Sequence, residues 1–472
     1  ASPDCAKSFQ ALNQYLLHDL TGQKDREKLT VRALLAWLGN QNVDGYRGHP
    51  CNQDTPEGFL SLIANKRTMY STFFTVLCRH ASILCVKIKG VSRCAGYEPG
   101  DQSSGDDHWT TVYINGKWEI IHPFWVCRSL VGHSAGGWIK LEEMGKFQGH
   151  RTKSAAGTLV NAFKEYYFLP NPNEFRYYCH PDDSKWQLTN ETLTRKEFFK
   201  LPYIFPTFFA LGLKIVTEKS CLLISKNGEI DIGIQAPMKN ANTIELHYEL
   251  FLKEQSSNDV DQMLTEAKNM PRLVSMIRCA DYWTFKISFP TEGTYKLSIY
   301  GGPYNNPLRR VSDFRIDCSK RKQNCRLLPF DPGRTGFGPG PKTEDKGLFV
   351  PSHLSGMVPA SVNKSIEISF QIDTLLLKTM YVKAELQHYN SVTTIEETET
   401  TVLTKQVMCT IQNQELRITT EIRKEGEYAL SIYTGRKMDG VSEEDVDDSS
   451  IEGLENVCNY ILSTEVKRFE VL

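Results

Sequence analysis

The side chains best suited to polar chemistry are one carboxylate and two imidazoles within sixteen residues. They are Asp107, His108 and His122, and Arg67 precedes them where a helix is predicted to begin. Nucleophilic catalysis by cysteine needs a thiolate activated by an adjacent imidazole and by the positive end of a helix. Arg67 cannot act as such a nucleophile, because a guanidinium stays protonated and only donates hydrogen bonds.

Two other patterns resemble nucleophile sites and are better explained by packing. Cys78 and Cys85 fall on a predicted helix face and in a predicted strand, where cysteine is typically a small buried hydrophobe. Gly132-His133-Ser134-Ala135-Gly136 matches the G-x-S-x-G elbow, which needs a strand entering and a helix leaving it. Here the motif lies in a glycine-rich loop, so neither pattern indicates catalysis.

These residues are positioned by helices followed by strands. Apolar residues recur at helical spacing in 9–20, in 31–38 and from about Thr68. Strands are predicted over 83–89, 109–114 and 118–122, the last two joined by the hairpin turn Asn115-Gly116. Side chains alternate along a strand, so Asp107 and Trp109 should share a face that His108 avoids. A shift of one residue would bring His108 inward instead.

The sequence pattern changes after about Leu211 to short alternating strands. We predict α+β structure for 1–210, an antiparallel β-sandwich for 211–320, a Gly/Pro-rich linker or edge-wrapping loop for 321–348, and a second β-sandwich for 349–472. Glu427-Tyr428-Ala429-Leu430-Ser431-Ile432-Tyr433 is similar to 293–300, which indicates that the two sandwiches are loose repeats.

Length and composition indicate a multidomain globular protein. The 472 residues exceed one core, and 40% hydrophobic with 24% charged residues is ordinary. A net charge of −1 gives no general field for nucleic acid, and no run approaches the roughly 20 apolar residues of a membrane span. Thirteen cysteines without C-x-x-C spacing argue against structural zinc, so we predict no metal and no cofactor.

Two sequons, at Asn190 and Asn363, would suit an extracellular, secreted protein. A cytoplasmic or cytoskeleton-associated location is the alternative.

The whole chain resembles the kyphoscoliosis peptidase and hillarin group, which has a transglutaminase-like, papain-like core and immunoglobulin-like sandwiches. The stretches that carry the resemblance are 65–125, Tyr167-Phe168-Leu169-Pro170, His180-Pro181-Asp182-Asp183, Trp186-Gln187-Leu188 and Phe337-Gly338-Pro339-Gly340-Pro341. It implies a Cys-His-Asp triad. Matching Tyr70, Phe73-Phe74 and Leu77-Cys78 to the family helix puts Arg67 in the cysteine position. Matching Trp109, Val112, Gly116 and Trp118 to its strands puts Asp107 in the histidine position and His122 in the aspartate position.

The resemblance therefore implies a degenerate triad of Arg67, Asp107 and His122. We expect these three residues to form a network in the former active site, with the carboxylate between two donors. The expected function is a non-enzymatic binding or scaffold protein, a pseudoenzyme. By analogy with the group, its partners would be cytoskeletal or matrix proteins, and a small ligand could lie against Tyr97, Trp109 and Trp125.

Two alternatives stay open. One is an active cysteine peptidase or crosslinking enzyme, with another cysteine brought to the groove. The other is a secreted, disulfide-stabilised structural or ligand-storage protein.

Overall fold

The computed structural model describes residues 3–48, 52–101, 105–217, 219–254, 273–322, 332–389, 400–402, 406–438 and 451–464. The chain forms two compact units. The first unit contains Ala1–Gly136 and Lys153–Leu201, and the second contains Gly137–Thr152 and Pro202–Leu472. Among the described residues, no helix is both long and apolar enough to cross a lipid bilayer.

The first unit begins with amphipathic helices that bury one shared apolar core. Its helices are α1 (Phe9–Leu17), α2 (Arg26–Gly39), α3 (Pro56–Ala64), α4 (Tyr70–His80), α5 (Pro123–Cys127), α6 (Pro172–Phe175) and α7 (Arg195–Lys200). Short 3₁₀ segments lie at Pro3–Lys7, His18–Leu20, Val43–Tyr46, Glu165–Tyr167 and Ser184–Gln187. Leu34, Phe73, Phe74 and Leu77 are fully buried in this core, which fixes the position of α4. Apolar residues recur at helical spacing in these segments, so each helix presents one apolar face to the core.

Eight strands occur in the described part of the first 201 residues. They are β1 (Leu84–Ser92), β2 (Asp106–Ile114), β3 (Lys117–Ile121), β4 (Arg128–Val131), β5 (Trp138–Glu143), β6 (Lys146–Arg151), β7 (Thr158–Asn161) and β8 (Cys179–Pro181). An antiparallel sheet has the order β3-β2-β1-β8, and β4 pairs with β7. Asn115 and Gly116 both have positive φ, 52° and 79°, as a two-residue hairpin turn requires.

Strands β5 and β6 belong to the second unit, where they extend a sheet of the first sandwich beside β13. This pair was not predicted, although Met144-Gly145 between two alternating runs is a hairpin signal. Glu142 on β5 is almost fully buried and accepts hydrogen bonds from Tyr248 Oη and from the backbone N–H groups of Leu273 and Val274, the first two at 2.6 Å. A buried carboxylate with three donors ties β5 into the sandwich.

The first sandwich contains α8 (Pro206–Ala210), a 3₁₀ segment (Met238–Thr243) and the strands β9 to β17. These are β9 (Tyr203–Ile204), β10 (Lys214–Ile215), β11 (Leu222–Ile224), β12 (Glu229–Gln235), β13 (Ile244–Lys253), β14 (Val274–Cys279), β15 (Tyr282–Ser288), β16 (Gly293–Pro303) and β17 (Arg309–Cys318). One sheet has the order β10-β12-β15-β14, and the other has β11-β17-β16-β13-β5-β6.

The second sandwich repeats this topology. Its strands are β18 (Leu348–Phe349), β19 (Met357–Pro359), β20 (Ser365–Ile372), β21 (Met380–Tyr389), β22 (Thr400–Val402), β23 (Val407–Gln412), β24 (Glu415–Glu421), β25 (Glu427–Lys437) and β26 (Ile451–Ser463). The sheet order β18-β20-β24-β23 corresponds to β10-β12-β15-β14, and β19-β26-β25-β21 corresponds to β11-β17-β16-β13, whereas β5, β6, β9 and β22 have no counterpart in the other sandwich. The predicted repeat is therefore confirmed in the order of the strands. Each sandwich also contains one parallel pair, β11 with β17 and β19 with β26, which the prediction of antiparallel sheets did not include.

The sequence similarity between the sandwiches places a tyrosine at the same corner in each. Tyr295 Oη donates to Thr291 O at 2.9 Å, and Tyr428 Oη donates to Lys424 O at 3.0 Å, each four residues upstream. Both rings are buried at the start of equivalent strands, β16 and β25. This geometry is the tyrosine corner of immunoglobulin-like sandwiches.

Residues 332–348 cover the open edge of β14 and join the two sandwiches. They include a 3₁₀ segment (Gly333–Thr335) and α9 (Pro341–Asp345). Phe337 exchanges backbone hydrogen bonds with Met276 and Arg278 on β14, and Gly338 N donates to Asn459 O on β26. Gly338 has φ 108°, and a Cβ there would lie 2.6 Å from Arg278 O, so glycine is required at this position.

The predicted strands of the sandwiches agree with the structure to within a few residues, except at the C-terminus. There we predicted a strand over 464–472, but the structure has β26 at Ile451–Ser463, and 465–472 lie outside the described residues. The acidic run 443–448 and part of the predicted linker, 323–331, also lie outside them.

Candidate functional site

The structure brings Asp107 and His122 together on neighbouring strands. Pairing of Thr110 with Ile121 sets Trp109 opposite His122, so Asp107, two residues before Trp109, lies on the same face. Asp107 Oδ2 is 3.4 Å from His122 Nε2 and accepts a hydrogen bond from Ser92 Oγ at 2.5 Å. Its Oδ1 accepts the backbone N–H of His108 at 2.7 Å. Both carboxylate oxygens are therefore engaged.

Both nitrogens of the His122 ring are also engaged. His122 caps α5, because its Nδ1 accepts the backbone N–H of Trp125 at 3.3 Å. A ring that accepts at Nδ1 carries its proton on Nε2, which faces Asp107. The side chain is fully buried, and Trp125 stacks on it with ring centroids 4.0 Å apart. In this arrangement the imidazole has no nitrogen left to take a proton from a nucleophile.

The surroundings of Asp107 favour its charged form. Burial alone would raise the pKa of this carboxyl, but hydrogen bonds from His122, from Ser92 and from the backbone of His108 outweigh burial and hold the pKa below its ordinary value. The group is thus a carboxylate at neutral pH. It acts as the acceptor at the centre of a cluster that links β1, β2 and the start of α5.

Arg67 does not join this cluster. Its side chain is exposed and makes no hydrogen bond or ion pair with any residue that the structure describes. The predicted contact with Asp107 is therefore wrong. The reason is that α4 begins only at Tyr70, whereas Arg67 belongs to the end of α3. Lys66 has φ 57°, and Lys66 N and Arg67 N donate to Ile63 O and Leu62 O, which is a Schellman motif. A cation there is favourable to the dipole of α3.

A cavity of about 490 Å³ opens beside Asp107 in the first unit. Tyr70 and Ser71 at the start of α4 form one wall, and Phe124 and Leu159 contribute apolar surface. Ser71 is 2% exposed, and its Oγ has no hydrogen-bond partner among the described residues. Burial raises the pKa of Tyr70 to about 12, so its hydroxyl stays protonated. The cavity thus combines apolar walls with a few polar groups, as small binding grooves do.

The residues predicted to hold a ligand do not line this cavity. Tyr97 and Trp109 are buried at 6% and 1% exposure, and Trp109 packs against Phe175. Trp125 is committed to stacking on His122 and to an edge contact with Tyr167. The sequence pattern indicates aromatic residues near the site, but it does not distinguish those that are buried in the interior from those that line the cavity.

His108 is half-buried and lines the cavity, and its Nδ1 is enclosed without a partner among the described residues. The carboxylate that contacts His122 is nevertheless that of the preceding residue, Asp107. The register of β2 against β1, with Trp109 opposite Ile88, therefore does not show the one-residue shift that was the alternative.

None of the described cysteines lines the cavity, and the eleven that the structure describes are free thiols. Cys51 and Cys325 lie outside the described residues. Burial raises the pKa of Cys127 to about 12 and that of Cys78 well above its ordinary value, so both are unreactive thiols. Ser134 is no nucleophile elbow either, since its loop leads to β5 and its hydroxyl donates to Lys153 O.

One cluster in the second unit has metal-ligand composition. Glu143, His247 and Glu249 each have a ligand atom within 4.8 Å of the others. Lys140 Nζ, however, lies 2.6 Å from both Glu143 and Glu249, and Tyr300 Oη donates to Glu249. The ammonium group supplies the positive charge that these carboxylates need, so we interpret the cluster as an ion-pair network.

Comparison with known proteins places the β-sandwiches in a family. The model of the KY-like, immunoglobulin-like domain matches residues 195–329 and 345–468, which is more than half of the chain. The chain belongs to the KY-like, immunoglobulin-like domain family. The two matched segments coincide with the two repeats of the structure, and the tyrosine corners are the local geometry expected for such sandwiches.

Several curated relatives are similar to this chain over most of its length. The Lim and transglutaminase domain protein of Caenorhabditis elegans is 27% identical over 97% of this chain and 60% of its own length. Hillarin of Drosophila melanogaster is 26% identical over 89% and 50%, and the kyphoscoliosis peptidase of Mus musculus is 24% identical over 76% and 48%. The chain thus spans about half to three fifths of the length of the relatives it matches. The resemblance to this group is confirmed.

Solved structures show only a distant likeness to the KY-like chain. Domains 3–5 of the Drosophila OTK extracellular region are 11% identical, with a TM-score of 0.14, and cover 56% of this chain and 68% of that one. At that score the likeness bears on neither fold nor function.

Proposed function

We propose that this chain is a non-catalytic peptide-binding protein built on a transglutaminase-like core whose triad has degenerated. The observation that carries the proposal is the pairing of Asp107 with His122, in which every acceptor and donor is already in use. Relatives named for a transglutaminase domain and for a peptidase support the ancestry of the core. The acid and base positions of that ancestor are exchanged here.

With these residues in the triad positions, the groups that thiol catalysis requires are missing. The cysteine position holds Arg67, which cannot attack carbon. The imidazole is buried behind Asp107 and fixed by two hydrogen bonds, so it is a structural donor. The cavity itself, lined by Tyr70, Ser71 and Phe124, is a place for an extended peptide without the means to cut it.

The binding surface that we propose centres on the apolar side of this cavity. Met69 and Phe124 are 49% and 36% exposed, and both line the cavity, as does Leu159. Clustered exposed apolar residues at a groove are typical of peptide recognition. That the bound proteins belong to the cytoskeleton or the matrix is an expectation from the family resemblance alone. The identity of these partners would also determine whether the chain is located inside or outside the cell.

Activity assays test the loss of catalysis. The full chain is incubated with a fluorogenic peptide, and separately with an amine donor and a glutamine-containing protein, each with and without a thiol-alkylating reagent. We expect no turnover that alkylation abolishes. Turnover that depends on a free thiol would overturn the proposal in favour of an active cysteine enzyme.

A binding assay tests the peptide groove. Peptides selected by display against the full chain are measured for affinity to the wild type and to the double variant Met69→Ser, Phe124→Ser. Loss of two apolar contacts predicts affinity at least about tenfold weaker. The matched control is Leu375→Ser, which alters a highly exposed apolar side chain of the second unit. Equal affinities in all three proteins would contradict a groove at this place.

A further inference from the structure

A second cavity, also of about 490 Å³, lies within the second unit, away from the groove beside Asp107. It is enclosed by β13, β14 and β15 of the first sandwich, by the segment 332–346 and by Glu455 on β26. Its walls combine Arg278, Arg334 and Lys342 with the rings of Trp283 and Tyr304. Nothing in the proposed function of the first unit uses this site.

Arg278 is a buried cation without an ion pair among the described residues. It is 6% exposed, and its guanidinium stacks on Trp283 at 4.9 Å. Nε donates to Ala280 O, and Nη2 donates to Ala241 O and Asn242 Oδ1, all of them uncharged acceptors. Nη1 has no hydrogen-bond partner in the described part of the chain. Burial lowers the pKa of Arg278 to about 10 in spite of the attraction of the nearby Glu344 carboxylate, so the group is still positive at neutral pH.

A buried charge of this kind usually has an ionic partner. Leaving a buried cation uncompensated is strongly destabilising, which is why such groups are normally paired. Arg278 lines the cavity, and the backbone leaves room for its Nη1 only because residue 340 is glycine. A Cβ on Gly340 would approach Nη1 to 2.6 Å.

The remaining charges of the cavity leave an excess of cations. Lys342 and Lys346 share the carboxylate of Glu455 at 3.0 and 2.5 Å, and Asp345 accepts from Tyr304 Oη at 3.5 Å. Arg334 is exposed and has no ion pair with a described residue.

The carboxyl group that faces these cations is that of Glu245, and it is half-buried. Burial raises its pKa in spite of the attraction of Arg334 and Lys342. The cavity is therefore lined by four basic and three acidic side chains. One of the acidic side chains, Glu455, is already paired with two lysines.

We propose that this cavity binds the phosphate group of a small molecule, with Arg278, Arg334 and Lys342 as its ligands. A guanidinium fork matches the oxygens of a phosphate, and a charge-assisted hydrogen bond in a partly enclosed site is strong. The cavity has the volume of a typical small-molecule site, and Trp283, Tyr304 and Pro341 supply apolar walls for an organic moiety.

Such a ligand would also stabilise the join between the two sandwiches. The cavity has walls from the first sandwich, from the joining segment and from β26, so it is complete only when these three are docked. A molecule that binds this docked form stabilises it in proportion to the logarithm of its concentration over its dissociation constant.

Calorimetric titration of the full chain at constant ionic strength tests the proposal, with inorganic phosphate, AMP, adenosine and citrate as probes. We expect phosphate and AMP to bind and adenosine to fail. AMP binding tighter than phosphate would identify an organic phosphate, and equal affinities would identify free phosphate as the ligand. Failure of both phosphates to bind, or citrate binding as well as phosphate, would overturn the proposal.

Variants assign the binding to this cavity. Arg334→Gln should weaken phosphate binding about tenfold, and Arg334→Gln with Lys342→Gln should abolish it, because each change removes a charged donor. Arg309→Gln, an exposed arginine of the same unit outside the cavity, should leave affinity unchanged. Arg278→Lys keeps the buried charge but loses the fork, and should also weaken binding. Unchanged affinity in the Arg334 and Lys342 variants would contradict the assignment.

Discussion

The pair Asp107 and His122 is a structural contact between two elements, with the carboxylate on β2 and the imidazole at the start of α5. Ser92 and the backbone of His108 supply further donors to the carboxylate, and Trp125 covers the imidazole. With every polar atom of the pair engaged, its contribution is to stability and to the shape of the cavity.

The pH dependence of stability tests this role. Because the folded-state pKa of Asp107 is held below its unfolded value, its contribution is present above about pH 4 and is lost as pH falls through the folded-state pKa. Asp107→Asn should lower the free energy of unfolding by about 1–3 kcal/mol at pH 7, with the difference from wild type shrinking below about pH 4. Urea unfolding of both proteins between pH 3 and pH 7 measures this.

The neighbouring Asp106 provides the matched control for this prediction. It is exposed and pairs with Lys89 at 3.2 Å, so Asp106→Asn should change stability by less than about 1 kcal/mol. A difference for Asp107→Asn that stays constant down to pH 3, or that equals the control, would speak against the structural role.

At the scale of elements, the correction at Arg67 comes from where one helix ends and the next begins. The sequence pattern predicted a helix from about Thr68 with Arg67 at its beginning, whereas the backbone closes α3 first and starts α4 at Tyr70. Because α4 begins three residues after Arg67, the Arg67 side chain lies at the surface and not in the cavity. Helix ends are decided by a few local hydrogen bonds, which apolar periodicity does not report.

The tyrosine corners give an element-scale prediction. Tyr295→Phe and Tyr428→Phe each remove a hydrogen bond from a buried hydroxyl to the backbone, so each should lower the free energy of unfolding by about 1–2 kcal/mol. Thermal or urea unfolding measures the change. Tyr15→Phe, at a ring that is 55% exposed, is the control and should be neutral. Losses in the corner variants no greater than the control would show that the corners contribute no stability.

At the scale of the whole molecule, two sandwiches are joined through one small apolar cluster. Phe337 is 1% exposed and packs with Ile277, Met357 and Ile461, which come from both sandwiches. The backbone of the same segment continues the edge of β14 and bonds to β26. The two repeats are therefore joined by packing and by hydrogen bonds together.

Phe337→Ala tests that join. Removing a fully buried ring from this cluster should cost about 3–5 kcal/mol and separate the unfolding of the second sandwich from that of the first. Scanning calorimetry should then show an additional transition at lower temperature. Phe349→Ala, at a ring that is 37% exposed, should leave the profile unchanged. A Phe337→Ala profile identical to wild type would show that this cluster does not couple the sandwiches.

The amino-acid sequence by itself determined those structural features that depend on residues close together in the chain. Alternation predicted about half of the strands that the structure describes in the two sandwiches, Asn115-Gly116 predicted the hairpin, and the similarity of 293–300 to 427–433 predicted the repeat. Strand alternation and register also placed Asp107 on the face of Trp109, which is why its contact with His122 follows from the pattern.

Only the tertiary structure decided which of the nearby side chains meet. Trp109 and Tyr97 are large aromatic residues near the site, but burial in the interior and exposure in a groove produce the same sequence pattern. The transfer of β5 and β6 to the second unit, and the meeting of Arg278 with the segment around Gly340, depend on contacts between residues far apart in the chain. Such contacts are set by the packing of whole elements, which no local spacing of residues records.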